Sequence, residues 1–71
     1  MNYKAGDILK NGAEVIEHKG DKVLAMNPGA AQPYIIWTIS DSGDTYWGHY
    51  YYPNQLQVAV SDFNNVNVEA V

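Results

Sequence analysis

Three sets of residues are of types that could do chemistry. Asp41, Asp44 and His49 lie close together in the chain, and carboxylates with an imidazole are metal ligands. An oxygen-rich calcium loop needs about six or more oxygens at spaced positions. Ser40–Asp44, SDSGD, supplies too few. It reads as a polar hairpin turn holding Gly43, with side chains capping its own backbone. Ser40, Ser42 or Ser61 with His49 and an aspartate would be a nucleophile set in residue type only. No strand–Gly-x-Ser-x-Gly–helix elbow is present, and one sheet with one helix offers little enclosed volume. The expectation is a protein that is not an enzyme and uses no metal or cofactor. The third set is aromatic: Tyr46, Trp47, Tyr50, Tyr51 and Tyr52. Rings on a sheet can stack single-stranded bases, but such platforms are ringed by cations. The neighbours here are Asp41 and Asp44, so the rings read as core packing plus a protein interface. His49, among them, reads as a half-exposed strand residue bonded to a neighbour.

Charge sharpens this. The 71 residues carry a net charge of −4. Lys4, Lys10, Lys19 and Lys22 are the only basic side chains, and there is no arginine. The lysines balance Asp7, Glu14, Glu17 and Asp21, which leaves Asp41, Asp44, Asp62 and Glu69 to carry the net charge. Gripping a nucleic-acid backbone takes several Lys or Arg contacts; the aromatic stretch and the helical segment after it have none. Cysteine is absent, which removes disulfides and thiolate zinc sites together. A chain this short buries only roughly 60% of its unfolded surface, and small domains often compensate by oligomerising, so a homodimer is an open option. No apolar run reaches the ~20 residues of a membrane span, and the N-terminus is not a secretory signal. The default is a soluble protein of the cytoplasm.

The elements that must position these residues can be read from turns and periodicity. Asn11-Gly12 predicts a two-residue hairpin turn between Asp7–Lys10 and Ala13–His18. Ala13, Val15 and Glu17 then share one strand face, and Glu14, Ile16 and His18 the other. Lys19-Gly20-Asp21 is a second turn and Lys22–Asn27 a third strand. PGAAQP, Pro28–Pro33, is a loop. Tyr34–Ile39 is the most apolar strand and belongs at the centre. In Tyr46–Tyr52, Trp47, His49 and Tyr51 point one way and Tyr46, Gly48, Tyr50 and Tyr52 the other. Gly48 leaves a gap of the kind that marks a bulge or a close backbone approach; the helix after Pro53 is its simplest tenant. Pro53 stops the strand. Asn54 is the predicted N-cap with Gln57 completing a capping box. Leu56, Ala59, Val60 and Phe63 form one helical stripe for the core. Asn64 and Asn65 end the helix through a left-handed cap. The tail, Val66–Val71, is an edge strand or a frayed end. The fold class is α+β: one domain, residues 1–71, an antiparallel meander of four to five short strands with a C-terminal helix on one face. The other face, left bare, would carry part of the aromatic set.

With Tyr34–Phe63 in view, the chain resembles a scattered group of short bacterial and phage proteins. They share an aromatic-Gly-x-aromatic step ending a strand, here Trp47-Gly48-His49-Tyr50, and a helix with a small residue and Asp-Phe, here Ala59 and Asp62-Phe63. The resemblance implies a phage or mobile-element setting in a bacterial cytoplasm. A second likeness is to the plant ethylene-response type of DNA-binding domain, also a sheet followed by a helix. Its sheet reads DNA through arginines, which the comparable strands here lack.

The functional expectation is a small acidic interaction protein meeting a basic protein surface, such as a nucleic-acid-binding host defence protein, in the manner of an anti-CRISPR inhibitor. Aromatic and negative groups together suit such a surface. Asp41, Asp44, Tyr46, Tyr50 and Tyr51 are the predicted contact residues. The alternatives are a small-ligand or nucleotide binder using the aromatic sheet, and a structural accessory subunit.

Overall fold

The computed structural model describes residues 3–66. Four strands succeed one another: β1 (Glu14–Lys19), β2 (Lys22–Met26), β3 (Tyr34–Ile39) and β4 (Thr45–Tyr51). They pair in chain order as one antiparallel sheet. A 3-10 turn, Pro53–Gln55, leads into α1 (Leu56–Asn64), which packs on the sheet. This is the α+β meander that the sequence predicts, with four strands. Asn67 to Val71, most of the predicted edge strand or frayed end, lies outside the described residues.

The turns are where turn-forming residues put them. Lys19 pairs with Lys22, so Gly20 and Asp21 form a two-residue loop. The Asn27 N–H donates to the Pro33 carbonyl at 2.8 Å, closing the loop before β3. At Asn11-Gly12 the Gly12 N–H donates to the Leu9 carbonyl at 2.9 Å. Gly12 holds φ +90° there, a conformation that costs glycine little. Asp7–Lys10, however, is not a strand: a single bridge joins Ile8 to Glu14. The Asp7 carboxylate accepts the Lys4 N–H at 3.1 Å, and the Asp7 N–H donates to the Lys4 carbonyl. That local turn takes the segment out of the ladder.

Both faces of the sheet are covered, in place of the one bare face expected. On the helix face, Leu24 and Ile36 pack against Ala59 and Phe63, with Tyr34, Tyr51 and Val60 at the margin. Phe63 is fully buried, a contribution of about 1.5–3 kcal/mol. On the opposite face, Val15, Val23, Ala25, Ile35, Trp37 and Ile39 pack under Leu9, Ala13 and Tyr3. The N-terminal segment supplies that cover. Its Gly6 N–H donates to the Val15 carbonyl at 2.9 Å, and the Val15 N–H to the Asp7 carbonyl at 2.8 Å. The Tyr3 N–H reaches His18 Nδ1 at 3.2 Å, with the two rings edge to face.

Two irregularities reset which side chains share a face. The register of β1 shifts between Val15 and Glu17, so Ile16 packs on the helix face and His18 lies with Val23 and Tyr3 on the other. The register of β4 shifts opposite Trp37. Tyr46 is therefore opposite Thr38, while Tyr50 is opposite Ile35 on the other face. Simple alternation, which places Tyr46 with Tyr50, fails because an inserted residue flips everything beyond it.

The helix start also differs from expectation. Tyr52, not Asn54, precedes the first turn, and Gln55 Oε1 accepts the Tyr52 N–H at 2.8 Å. Pro53 sits at the first position of this turn, where its missing N–H is no loss. Asn65 ends the helix with φ −100°, not left-handed. Its side-chain amide donates to the Ser61 carbonyl at 3.0 Å, and Lys19 Nζ donates to the Asn64 carbonyl at 3.1 Å. A cation on the last carbonyls complements the helix dipole.

Gly48 is filled from the face opposite the helix. A Cβ there would stand 2.8 Å from Trp37 Nε1 and 2.7 Å from the Tyr50 ring. The tenant is thus the Trp37–Tyr50 pair, edge to face with centroids 6.3 Å apart, and not α1. Gly48→Ala should force Tyr50 outward and shift Trp37, at about 1–3 kcal/mol, the usual cost of overpacking. Urea unfolding monitored by tryptophan fluorescence measures it; an unchanged midpoint would contradict this packing.

Candidate functional site on the edge strand

The sequence sets Trp47 immediately before the glycine on which Trp37 rests, and β4 bulges there. Trp47 takes φ +50°, the one non-glycine residue with positive φ among those described. A bulky residue in the left-handed region carries strain of order 1–3 kcal/mol. The conformation turns its side chain into solvent, where it is 80% exposed. Tyr46 packs against it, with ring centroids 6.0 Å apart and planes tilted by 47°. Tyr46, Tyr50 and Tyr52 are each about half exposed. The exposed rings therefore gather along β4, an edge strand, and not on a sheet face.

Beside Trp47, on the helix face, is a cleft. Trp47, His49, Thr38, Ile36, Lys22 and Val66 enclose a space of about 230 Å³. It continues past Ile36, His49 and Val66 to Tyr51, Asp62 and Asn65 at the helix end. Lys22 Nζ lies 3.3 Å from Asp21, so the cation at this cleft is already paired.

Of the predicted contact residues, Asp41, Tyr46 and Tyr50 are exposed. Asp44 is exposed but engaged: Lys10 Nζ stands 3.1 Å from its Oδ1, across 34 positions of sequence. Lys10 thus does not simply balance the acids near it in the chain. The Lys10 hydrogen bond, then that from Ser42, then the Lys10 charge hold the Asp44 carboxyl below its ordinary range. The turn is closed on itself. Ser42 Oγ donates to Asp44 Oδ2 at 3.0 Å, the Asp44 N–H donates to Ser40 Oγ at 3.1 Å, and the two serine hydroxyls are 2.9 Å apart. The serines bond within the turn and not to His49. Among the described residues no three carboxylate, imidazole or thiol side chains converge as a metal site requires.

Tyr51 is placed differently from its neighbours. It is half-buried against the helix layer, and its hydroxyl donates to Asp62 Oδ2 at 2.8 Å. Burial, then the hydrogen bond to Asp62 and its charge, push the phenol up to about 12. The geometry makes Tyr51 a tie between β4 and α1. The five residues therefore do not form one patch: Asp41 and Asp44 are on the turn, Tyr46 and Tyr51 on the helix face, Tyr50 on the other. Trp47, the most exposed ring, was legible only through the bulge that Gly48 signals.

No helix among the described residues is long and apolar enough to cross a membrane.

Two titrations check these contacts. The raised Tyr51 value means its contribution to stability is present below pH 10.0 and is lost as pH rises toward about 12. Tyr51→Phe should remove a tyrosinate absorbance step near pH 12 and lower stability at neutral pH by about 1 kcal/mol. The depressed Asp44 value has the opposite sign: its contribution is present above pH 3.8 and lost on further acidification. In Lys10→Met, carboxyl NMR should show Asp44 titrating at higher pH than in the parent.

Compared with protein-family models, with curated proteins and with solved structures, the chain has no match.

Proposed function

We propose that this chain is a small acidic interaction protein whose edge strand β4 docks on a basic surface of a partner protein. The observation that carries the reading is Trp47. The bulge that strains its backbone serves the packing at Trp37, but the indole itself stands 80% exposed, and apolar area left in water contributes little to the isolated fold. Tryptophan and tyrosine dominate binding hot spots because they combine apolar area with a polar handle. β4 itself carries no Lys, Arg, Asp or Glu. Of the carboxylates nearest its ends in the chain, Asp44 is paired with Lys10, and Asp41 and Asp62 favour a cationic partner and oppose a nucleic-acid backbone. The concrete form is an inhibitor from a phage or mobile element that covers the nucleic-acid-binding surface of a host defence protein in the bacterial cytoplasm.

A small planar ligand in the cleft beside Trp47 is the second reading, favoured by the indole and imidazole that line it. The cleft takes in about 230 Å³ beside Trp47 and about 270 Å³ in its continuation, but the Trp47 ring, 80% exposed, stands mostly outside it, so the protein partner is preferred.

The test uses opposite signs. Trp47→Gly removes the ring and relieves the left-handed strain. Melting temperature should hold or rise, while affinity for a partner captured from host lysate and then purified falls more than tenfold, as for a hot spot. Asp41→Lys should slow association most at low salt. Undiminished binding by Trp47→Gly would end the role of Trp47 as the anchor; undiminished binding together with an association rate indifferent to Asp41→Lys would end this reading.

A further inference from the structure

The two edges of the sheet are treated differently. The outer edge of β1 is occupied by the chain itself. Gly6 and Asp7 exchange hydrogen bonds with Val15, and Ile8 bridges Glu14. Beyond that cover, β1 ends in charged or polar residues, Glu17, His18 and Lys19, after a bulge. Bulges and charges are the usual guards of an edge. β4 has β3 on one side and, among the described residues, no strand on the other. Its bulge takes in Trp47 and Gly48, opposite Trp37. From His49 to Tyr51 the ladder to β3 is regular, the run carries no Lys, Arg, Asp or Glu, and it stops where Gln55 Oε1 takes the Tyr52 N–H. Three residues span about 10 Å at the usual rise.

We propose that the run from His49 to Tyr51 accepts an extended, lysine- or arginine-bearing segment of the partner as a fifth strand. This rests on the docking role of β4 and specifies its backbone part. Main-chain hydrogen bonds supply affinity in such strand addition, and side chains on alternate residues supply specificity. The charge requirement comes from what borders the strand. Asp41 precedes it and Asp62 meets its last residue through the Tyr51 hydroxyl; other charges near it cancel in pairs, Lys10 with Asp44 and Lys22 with Asp21. A second copy of this chain is disfavoured as the added strand, because two chains of net charge −4 repel. The exposed rings of Tyr50, within the run, and Tyr46, before the bulge, stand on opposite faces, so they can clasp an added strand from both sides.

The experiment uses the full chain and a synthetic peptide of alternating lysine and valine, roughly six residues long, the common strand length. Amide NMR spectra are recorded during titration with this peptide, with its glutamate counterpart, and with a version N-methylated at alternate residues. The lysine peptide should shift the amide signals of His49 to Tyr51 and slow their hydrogen exchange. N-methylation keeps the charge but deletes the donors, and should weaken binding about tenfold or more; the glutamate peptide should bind at least as poorly. Signals confined to β1 or to the Ser40–Asp44 turn would overturn the inference. So would equal binding of the N-methylated peptide, or no binding of any. Trp47→Gly separates the two ideas. If it abolishes capture of a purified partner while the peptides leave β4 unmoved, the docking role stands and strand addition falls. If the lysine peptide pairs with β4 but Trp47→Gly leaves partner binding intact, strand addition stands and the side-chain anchor falls.

Discussion

Trp37 can close its face of the sheet only because Gly48 presents no side chain to it. The indole and the Tyr50 ring occupy the space a Cβ would take. That close approach requires Tyr50 on the face opposite the helix, and Tyr50 reaches that face only because β4 carries an extra residue. The extra residue is Trp47, whose left-handed backbone is the cost of the arrangement. One local constraint therefore buries one tryptophan, exposes the other, and divides the tyrosines of β4 between two faces. The strain at Trp47 and the packing at Trp37 are two sides of the same bulge.

Much of the fold is legible in the sequence because turn residues and helical spacing act locally. Asn11-Gly12, Gly20-Asp21, Pro28–Pro33 and Gly43 mark their turns, and Tyr34–Ile39 matches β3 residue for residue. Ala59 and Phe63 are the buried pair of the helical stripe; Leu56, at its first turn, stays partly exposed. What the sequence conceals is parity. Ile16 and Trp47 each insert into a strand, and nothing in EVIEHK distinguishes a bulge from imperfect alternation. TYWGHYY does carry a hint in its glycine. The helix cap is displaced for a related reason. Asn54 and Gln57 have capping residue types, but Pro53 begins the turn, so Gln55 is the side chain that can reach back to Tyr52.

The candidate site was legible in composition more than in placement. The absence of cations beyond Lys22 is a property of the chain alone; in three dimensions Lys22 stands at the cleft beside Trp47 and Lys10 beside the start of β4, each paired with an aspartate. The pairing of charges is not readable from order. Lys10 meets Asp44 and Lys19 meets the helix end, across 34 and 45 positions, because the chain folds back on its own sheet. The fold-back of the N-terminal segment is also why no face is bare. Leu9 and Tyr3 gave no periodic signal, since they cover the sheet from a coil and not from a strand or helix; Ala13, expected in the strand, covers it from the position just before β1.

The meander has a temporal side. Each strand pairs with the one made just before it, so the sheet can assemble from short loop closures, the class of contact that forms rapidly. Its two covers are made on either side of the strands. Tyr3 and Leu9 are made before any strand exists, and Phe63 only after all four. On a ribosome, Leu24 and Ile36 thus emerge without their helical lid and pass through an interval of exposed apolar surface, the kind of species that aggregates or recruits chaperones.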